Sequence, residues 1–241
     1  MELRNELDFL KTVPALARVQ NEPVIRRLFE KYRPQAVFHA AAYKHVPLME
    51  MNPWQAVENN VLGSYTVMKC AVDYGVSRFV LVSTDKAVRP TNVMGASKRI
   101  AEIYSQIQNN KGKTKFVTTR FGNVLGSNGS VIPLFQRQIQ QGGPVTVTDE
   151  RVTRFFMTIP EACQLVLEAG SMGQGGEIFV FDMGKSVKII DLAEVLINEL
   201  APKFGFSPKD IKIDIIGVRP GEKLHESLIA EEETINCIDG G

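Results

Sequence analysis

RFVLVSTDKAVRPTNVMGASK, residues 78–98, is the stretch from which the rest of the chain is read. It begins with an apolar run (Phe79, Val80, Leu81, Val82) and breaks into Ser83, Thr84, Asp85 and Lys86, followed by a Pro90-Thr91-Asn92 turn. An uninterrupted apolar run bounded by polar and turn residues predicts a central parallel strand. Met94 and Lys98 then open a helix, four positions apart and so one turn apart on one face. In open α/β sheets, ligands bind beyond the carboxyl ends of the strands. Ser83 to Lys86 stand at such an end. A carboxyl, an amine and two hydroxyls there read as a reactive site, against the plainer reading of a solvated loop.

Composition narrows the function classes. The 241 residues suffice for one large domain or two small ones, and 44% apolar content supports a sizeable core. The formal net charge is +1 without bunched Lys or Arg, which argues against nucleic acid and anionic membranes as general partners. No apolar run approaches the roughly 18 residues of a spanning helix. The charged start MELRNELDFLKT lacks the apolar centre of a signal peptide. Cys70, Cys163 and Cys237 are odd in number and far apart, as expected of reduced thiols in a cytoplasmic protein with no disulfide framework and no metal site.

Strand and helix patterns alternate along the chain. Residues 1 to 10 read as helical, ALARV (15–19) as a weak strand, 23–32 as a helix with Pro23 in its first turn, and AVFHAAA (36–42) as a strand. The small Ala40, Ala41 and Ala42 either admit a flat ligand to the backbone or allow tight helix–sheet packing. Residues 43–55 read as a loop, and 54–74 as a helix closed by Gly75. Asn60 lies among that helix's apolar residues, where it needs partners. The loop GNVLGSNGS (122–130) follows a strand over 115–121, and helices over 131–141, 160–170 and 189–200 and strands over 177–184 and 212–218 come after it. Arg219, Glu222 and Lys223 sit on a Pro-Gly turn that either grips an anion or is a plain surface turn. No GxGxxG occurs, so the usual dinucleotide fingerprint is absent. The alternation predicts an α/β doubly wound sheet.

The segments HAAAYKHVPLME, ENNVLGS, VSTDKAVRPTNVMGASKR, TRFGNVLGSNGSVIPLF, VTRFFMTIPEA and VRPGEKLHE together resemble one family. It is the nucleoside-diphosphate-sugar 4,6-dehydratases of polysaccharide biosynthesis, within the extended short-chain dehydrogenase/reductases, and most closely the UDP-N-acetylglucosamine 4,6-dehydratases. The resemblance runs from about residue 1 to 233. It implies a lyase using bound NAD or NADP: C4 of the sugar is oxidised by hydride transfer, water leaves across C5 and C6, and the hydride returns to C6. Once C4 is a ketone the C5 proton is acidified and a modest base suffices, while the C6 hydroxide needs an acid.

By resemblance, Asp85 is that acid, Lys86 the base, and Thr84 the hydrogen-bond partner of the C4 oxygen. Lys98 holds the nicotinamide ribose and adds positive charge near the reacting oxygen. Met94 stands where the wider superfamily has a tyrosine four residues before the lysine; methionine cannot take a proton. Some members of the dehydratase group share this methionine, and it argues against tyrosine-dependent epimerases and reductases. The group removing the C4 hydroxyl proton is then a water, Thr84 or Lys86. The resemblance assigns Ala40, Ala41, Ala42, Lys44, Asn60, Ser83 and Lys98 to the cofactor. It assigns Asn123, Ser130, Arg154, Arg219 and Glu222 to the UDP-sugar. Arginines suit a diphosphate because their fork binds two oxygens.

The expected architecture is a Rossmann-like parallel sheet lacking its first βαβ unit. A partial NAD(P)-binding region spans 1–122 and a mainly nucleotide-sugar-binding region 123–241, with 155–183 returning to the sheet. Helices 54–74 and 94–109 would pair two copies in a homo-oligomer. Both ends read as cut short of the family's usual extent, and long members carry a membrane-bound N-terminal region. The rival reading is therefore a non-catalytic UDP-sugar-binding remnant, or a fragment completed by a partner. A related epimerase is a third.

Overall fold

The strand Arg78–Val82 is buried from both sides: Phe79 and Leu81 face one way and Val80 the other, each exposed by 1% or less. That is the burial a middle strand needs, because layers of helices cover both its faces. The computed structural model describes residues 11–127 and 129–238. The helix expected over residues 1 to 10 lies outside them. The chain runs through α1 (Glu22–Tyr32), β1 (Ala36–His39), α2 (Val46–Met51), α3 (residues 53–73), β2 (Arg78–Val82), α4 (Val93–Asn109) and β3 (Lys115–Arg120). It continues through β4 (Asn123–Val124), α5 (Val131–Gln140), β5 (Val145–Val147), β6 (Thr153–Arg154) and β7 (Phe156–Met157). Then come α6 (Ile159–Met172), β8 (Ile178–Val180), β9 (Val187–Lys188), α7 (Ile189–Leu200) and β10 (Ile213–Ile215).

The main sheet has the order β1-β2-β3-β8, with every neighbour parallel. On one face, Ile25 and Phe29 of α1, Val67, Met68 and Ala71 of α3, and Ala101 of α4 pack onto Phe79, Leu81 and Phe116. On the other face α6 lies close to Phe38 and Val80 at Gly170 and to Val117 at Gly173. A second apolar cluster joins α5, α7, β5 and β10 through Phe135, Ile139, Val145, Val147, Ala193 and Ile197. The carboxyl end of β2 opens toward a small body built around this second cluster from residues 123–154 and 187–226, while α6 and β8 return to the main sheet.

Several boundaries differ from the sequence reading. ALARV (15–19) forms no strand; among the described residues β1 pairs with β2 alone, so no strand lies there for that segment to join. Residues 43–55 are not a plain loop: α2 and the start of α3 fill them, because Pro47 and Pro53 occupy first-turn positions, where the missing N–H costs nothing. Within α3, Val57–Leu62 widens into a π turn. The strands expected over 36–42, 177–184 and 212–218 shorten to β1, β8 and β10, since the flanking residues leave their neighbours.

On the outer side of α3 and α4, Leu62, Tyr65, Ile100, Ile103 and Ile107 are exposed, each by more than 40%. The isoleucines recur at helical spacing and so form one stripe. No helix among the described residues is long and apolar enough to cross a membrane. The fully buried Phe79 packs its ring 5.1 Å from that of Phe116. Phe79→Ala is expected to lower unfolding free energy by about 3–5 kcal/mol in urea titration, through lost apolar contact and the cavity left.

Candidate active site

After Val82 the chain keeps strand pairing for two more residues: Ser83 N–H donates to Thr119 O at 2.7 Å and Asp85 N–H to Phe121 O at 3.1 Å. It then tightens into a single 3-10 turn, Asp85–Ala87, capped by the Thr84 hydroxyl, which accepts from Lys86 N–H. This turn presents side chains into a cleft of about 450 Å³ between the main sheet and the small body. The Lys86 ammonium donates to Asp85 Oδ1 at 2.9 Å and to Asn123 Oδ1 at 3.2 Å. The Thr84 hydroxyl donates to the same Asp85 oxygen at 2.8 Å. Asp85 is fully buried behind Thr84 and Lys86, and its Oδ2 has no hydrogen-bond partner among the described residues.

Helix α4 comes close to this turn at Gly95. A Cβ there would stand 2.2 Å from the Lys86 carbonyl oxygen, so glycine permits the approach. Asn92 caps the helix, its side-chain oxygen accepting from Gly95 N–H at 2.7 Å. Met94 is buried with Met49 and Ala56, and its side chain also lines the cleft. One turn on, the Lys98 ammonium donates to the Val82 carbonyl at the end of β2. Burial pushes Lys98 down to about 8, with Glu102 pulling weakly the other way.

Most residues expected at the cofactor and sugar sites line this cleft: Ala40, Ala42, Lys44, Ser83, Asn123, Ser130, Arg154, Arg219 and Glu222. Their roles are not equivalent. Arg154 donates to Glu222 Oε1 at 3.0 Å and to the Thr153 and Leu224 carbonyls, so its fork is largely engaged within the protein. Arg219 is exposed, and its backbone N–H donates to Glu222 Oε2. The Ser130 hydroxyl is buried without a partner among the described residues. Lys44 donates to Ser127, and burial first, then the Lys86 charge, lowers its pKa. Ala41 lies at the strand end but not on the cleft wall.

Asn60 is fully buried and saturated. Its amide donates to Tyr43 O and Ser97 Oγ, while its oxygen accepts from Tyr43 N–H and Asn59. Every hydrogen-bonding position is used, so it holds the segment after β1 in place and has none left for a ligand.

Sequence reasoning passed over two further groups. Glu102 accepts from Ser83 Oγ at 2.6 Å and from the guanidinium of the buried Arg120 at 2.6 and 2.8 Å. Its spacing of four from Lys98, on the same helix face, was the available signal. Glu226 lines the cleft beside Lys86 and lies inside the VRPGEKLHE segment, where nothing local marks it out. Among the described residues no cluster of three His, Cys, Asp or Glu could hold a metal.

The depressed Lys98 pKa has a stability consequence. Between about 8 and its ordinary 10.5, the unfolded chain holds a proton that the folded chain has released. Stability contributed at this position therefore rises with pH across that window and is level below it. In urea titrations, the wild-type unfolding free energy minus that of Lys98→Met is expected to increase from pH 8 to pH 10; a flat difference would contradict the burial argument.

Comparison with known proteins places this geometry. Residues 2–240 match the model of the family described as polysaccharide biosynthesis protein. The capsular polysaccharide biosynthesis protein CapD of Staphylococcus aureus is 56% identical over 230 residues, covering 95% of this chain and 37% of that relative. The UDP-glucose 4-epimerase of Rickettsia akari is 42% identical over 208 residues, covering 85% of this chain and 59% of that protein. The chain thus spans well under two thirds of the length of both. Among solved structures, Pen from Bacillus thuringiensis superposes with a TM-score of 0.89 at 37% identity, covering 97% of this chain and 72% of that one. The chain belongs to the polysaccharide biosynthesis protein family and is built on a Rossmann-type parallel sheet.

Proposed function

We propose that this chain carries the reacting centre of a nucleotide-sugar 4,6-dehydratase that converts UDP-N-acetylglucosamine to a 4-keto-6-deoxy sugar for surface polysaccharide. The supporting observation is the Asp85–Lys86 hydrogen bond at 2.9 Å, held at the strand end beside a cleft. Dehydration needs an acid and a base in one place. A carboxylate and an ammonium are the wrong forms of both, but one proton shifted along that bond yields a carboxylic acid and a free amine without changing the net charge.

The proton balance of the elimination step then closes, and the proton released by the C4 hydroxyl on oxidation equals the one that C5 regains when the hydride returns to C6. Lys86 takes the C5 proton, and Asp85 gives its proton to the departing C6 hydroxyl, which leaves as water. Transfer from Lys86 Nζ back to Asp85 Oδ1 restores the starting pair. Asn123, which accepts from Lys86, aims the amine, and Thr84 fixes the carboxyl that it bonds.

A dinucleotide of the NAD type, when bound, supplies the hydride acceptor and donor. Ala40 and Ala42 after β1, Ser83 after β2, and Lys98 of α4, whose ammonium reaches the end of β2, fit part of it: small side chains leave room, and Lys98 brings a cation. Among the described residues no GxGxxG loop is present for the pyrophosphate, so the fit is to part of the cofactor. The exposed stripe Ile100, Ile103 and Ile107, with Leu62 and Tyr65, suits pairing of α3 and α4 with a second copy.

One observation favours an epimerase instead: the 42% identity to a protein of that name. Met94, buried at the position a proton-carrying tyrosine would need, weighs against it. Mass spectrometry of UDP-N-acetylglucosamine incubated with the protein and NAD or NADP decides. A product lighter by one water supports the dehydratase; a product of unchanged mass with inverted C4 supports the epimerase and ends the dehydratase reading. UDP binding without turnover of a cofactor-loaded sample points to a binding remnant. Asp85→Asn and Lys86→Met are each expected to slow turnover by about 100-fold or more while leaving UDP affinity near wild type.

A further inference from the structure

Glu226 is buried in the same cleft wall, its side chain 3% exposed, and no step above uses it. Its Oε1 lies 4.0 Å from Lys86 Nζ and its Oε2 3.9 Å from Lys223 Nζ, both beyond hydrogen-bonding distance. Among the described residues neither Glu226 oxygen accepts a hydrogen bond, and Oε2 is shut off from solvent. Lys86 therefore stands between two buried carboxyls, Asp85 and Glu226, of which only Glu226 lines the cleft. Buried polar groups are almost always hydrogen-bonded, so an unbonded carboxyl in a polar cleft wall is placed for something that enters the cleft.

The charge on either side says which part of a ligand that is. Arg154 is engaged by Glu222, Lys86 by Asp85, and Lys223 by the Val88 carbonyl, whereas Glu226 is the group among these whose side chain makes no hydrogen bond to the described residues. Burial raises the Glu226 pKa most strongly, with Asp85 acting the same way and Lys86, Arg154 and Lys223 opposing. A carboxylate would repel a diphosphate. Either form pairs well with a hydroxyl, accepting when ionised and donating when neutral.

We propose that Glu226 is a substrate-binding residue that hydrogen-bonds a ring hydroxyl of the sugar on the Lys86 side of the cleft. This rests on the nucleotide-sugar reading given above. The test is calorimetry of the full chain with UDP and with UDP-N-acetylglucosamine. Glu226→Met should weaken the sugar nucleotide about ten-fold and leave UDP unchanged, and Glu226→Gln, which still hydrogen-bonds, should stay within about three-fold of wild type. Equal weakening of both ligands, or none, overturns the inference. If Glu226→Met does not fold, Glu226→Asp retracts the carboxyl by one methylene: selective loss of sugar-nucleotide affinity supports the role, and unchanged affinity for both ligands overturns it. Wild-type protein that binds neither ligand overturns the nucleotide-sugar reading itself, whereas wild-type binding with indifferent variants overturns the Glu226 role alone.

Discussion

Arg120 is 1% exposed and Glu102 fully buried, and their two-pronged contact is the constraint on which the site depends. Taking both charges out of water is costly, and it is tolerated because nearly every oxygen and N–H is matched. Burial works against the Arg120 charge, yet Glu102 and Glu233 more than offset it. Burial likewise opposes the Glu233 charge, and Arg120 together with the Ala230 N–H holds it down at about 2. The pair joins four pieces: β3 through Arg120, α4 through Glu102, the end of β2 through Ser83, and the turn Glu231–Asn236 through Glu233. Removing one partner leaves an unpaired buried charge, so these elements are locked at one spacing.

That spacing sets the chemistry. Ser83 is tied to Glu102, and the residues after it, Thr84, Asp85 and Lys86, curl into one turn whose far side is met by α4 at Gly95. The turn can neither slide nor open. A carboxyl and an amine that would otherwise sample solvent are held on one hydrogen bond inside a cleft. From the other side the segment 219–226 closes in, pinned by Asn92 and Thr91 to the Gly221 carbonyl and by Lys223 to Val88. The small body thus brings Glu222 and Glu226 to the reacting turn without belonging to the main sheet.

The parallel sheet was legible in residues 78–98 because a strand buried on both faces has a continuous apolar signature, and so was the polar strand end beside the cleft, because Ser, Thr, Asp and Lys there break that run abruptly. The proline-led helices at 46 and 53 were missed: a polar, proline-containing segment reads as a loop unless the proline is recognised as a first-turn residue. ALARV had strand-like composition, but a strand exists only where a neighbour accepts its hydrogen bonds.

The sequence by itself determined the α/β class and the polar end of the strand after Val82, with the residue types gathered there, since these follow from periodicity over neighbouring positions. Tertiary structure alone decided that Asn60 is saturated, that Arg154 is engaged by Glu222, and that Glu226 flanks Lys86. Those facts join residues far apart in the chain, as Arg120 and Glu233 are at 113 positions. The stacking of whole elements sets such distances, and no local pattern encodes them.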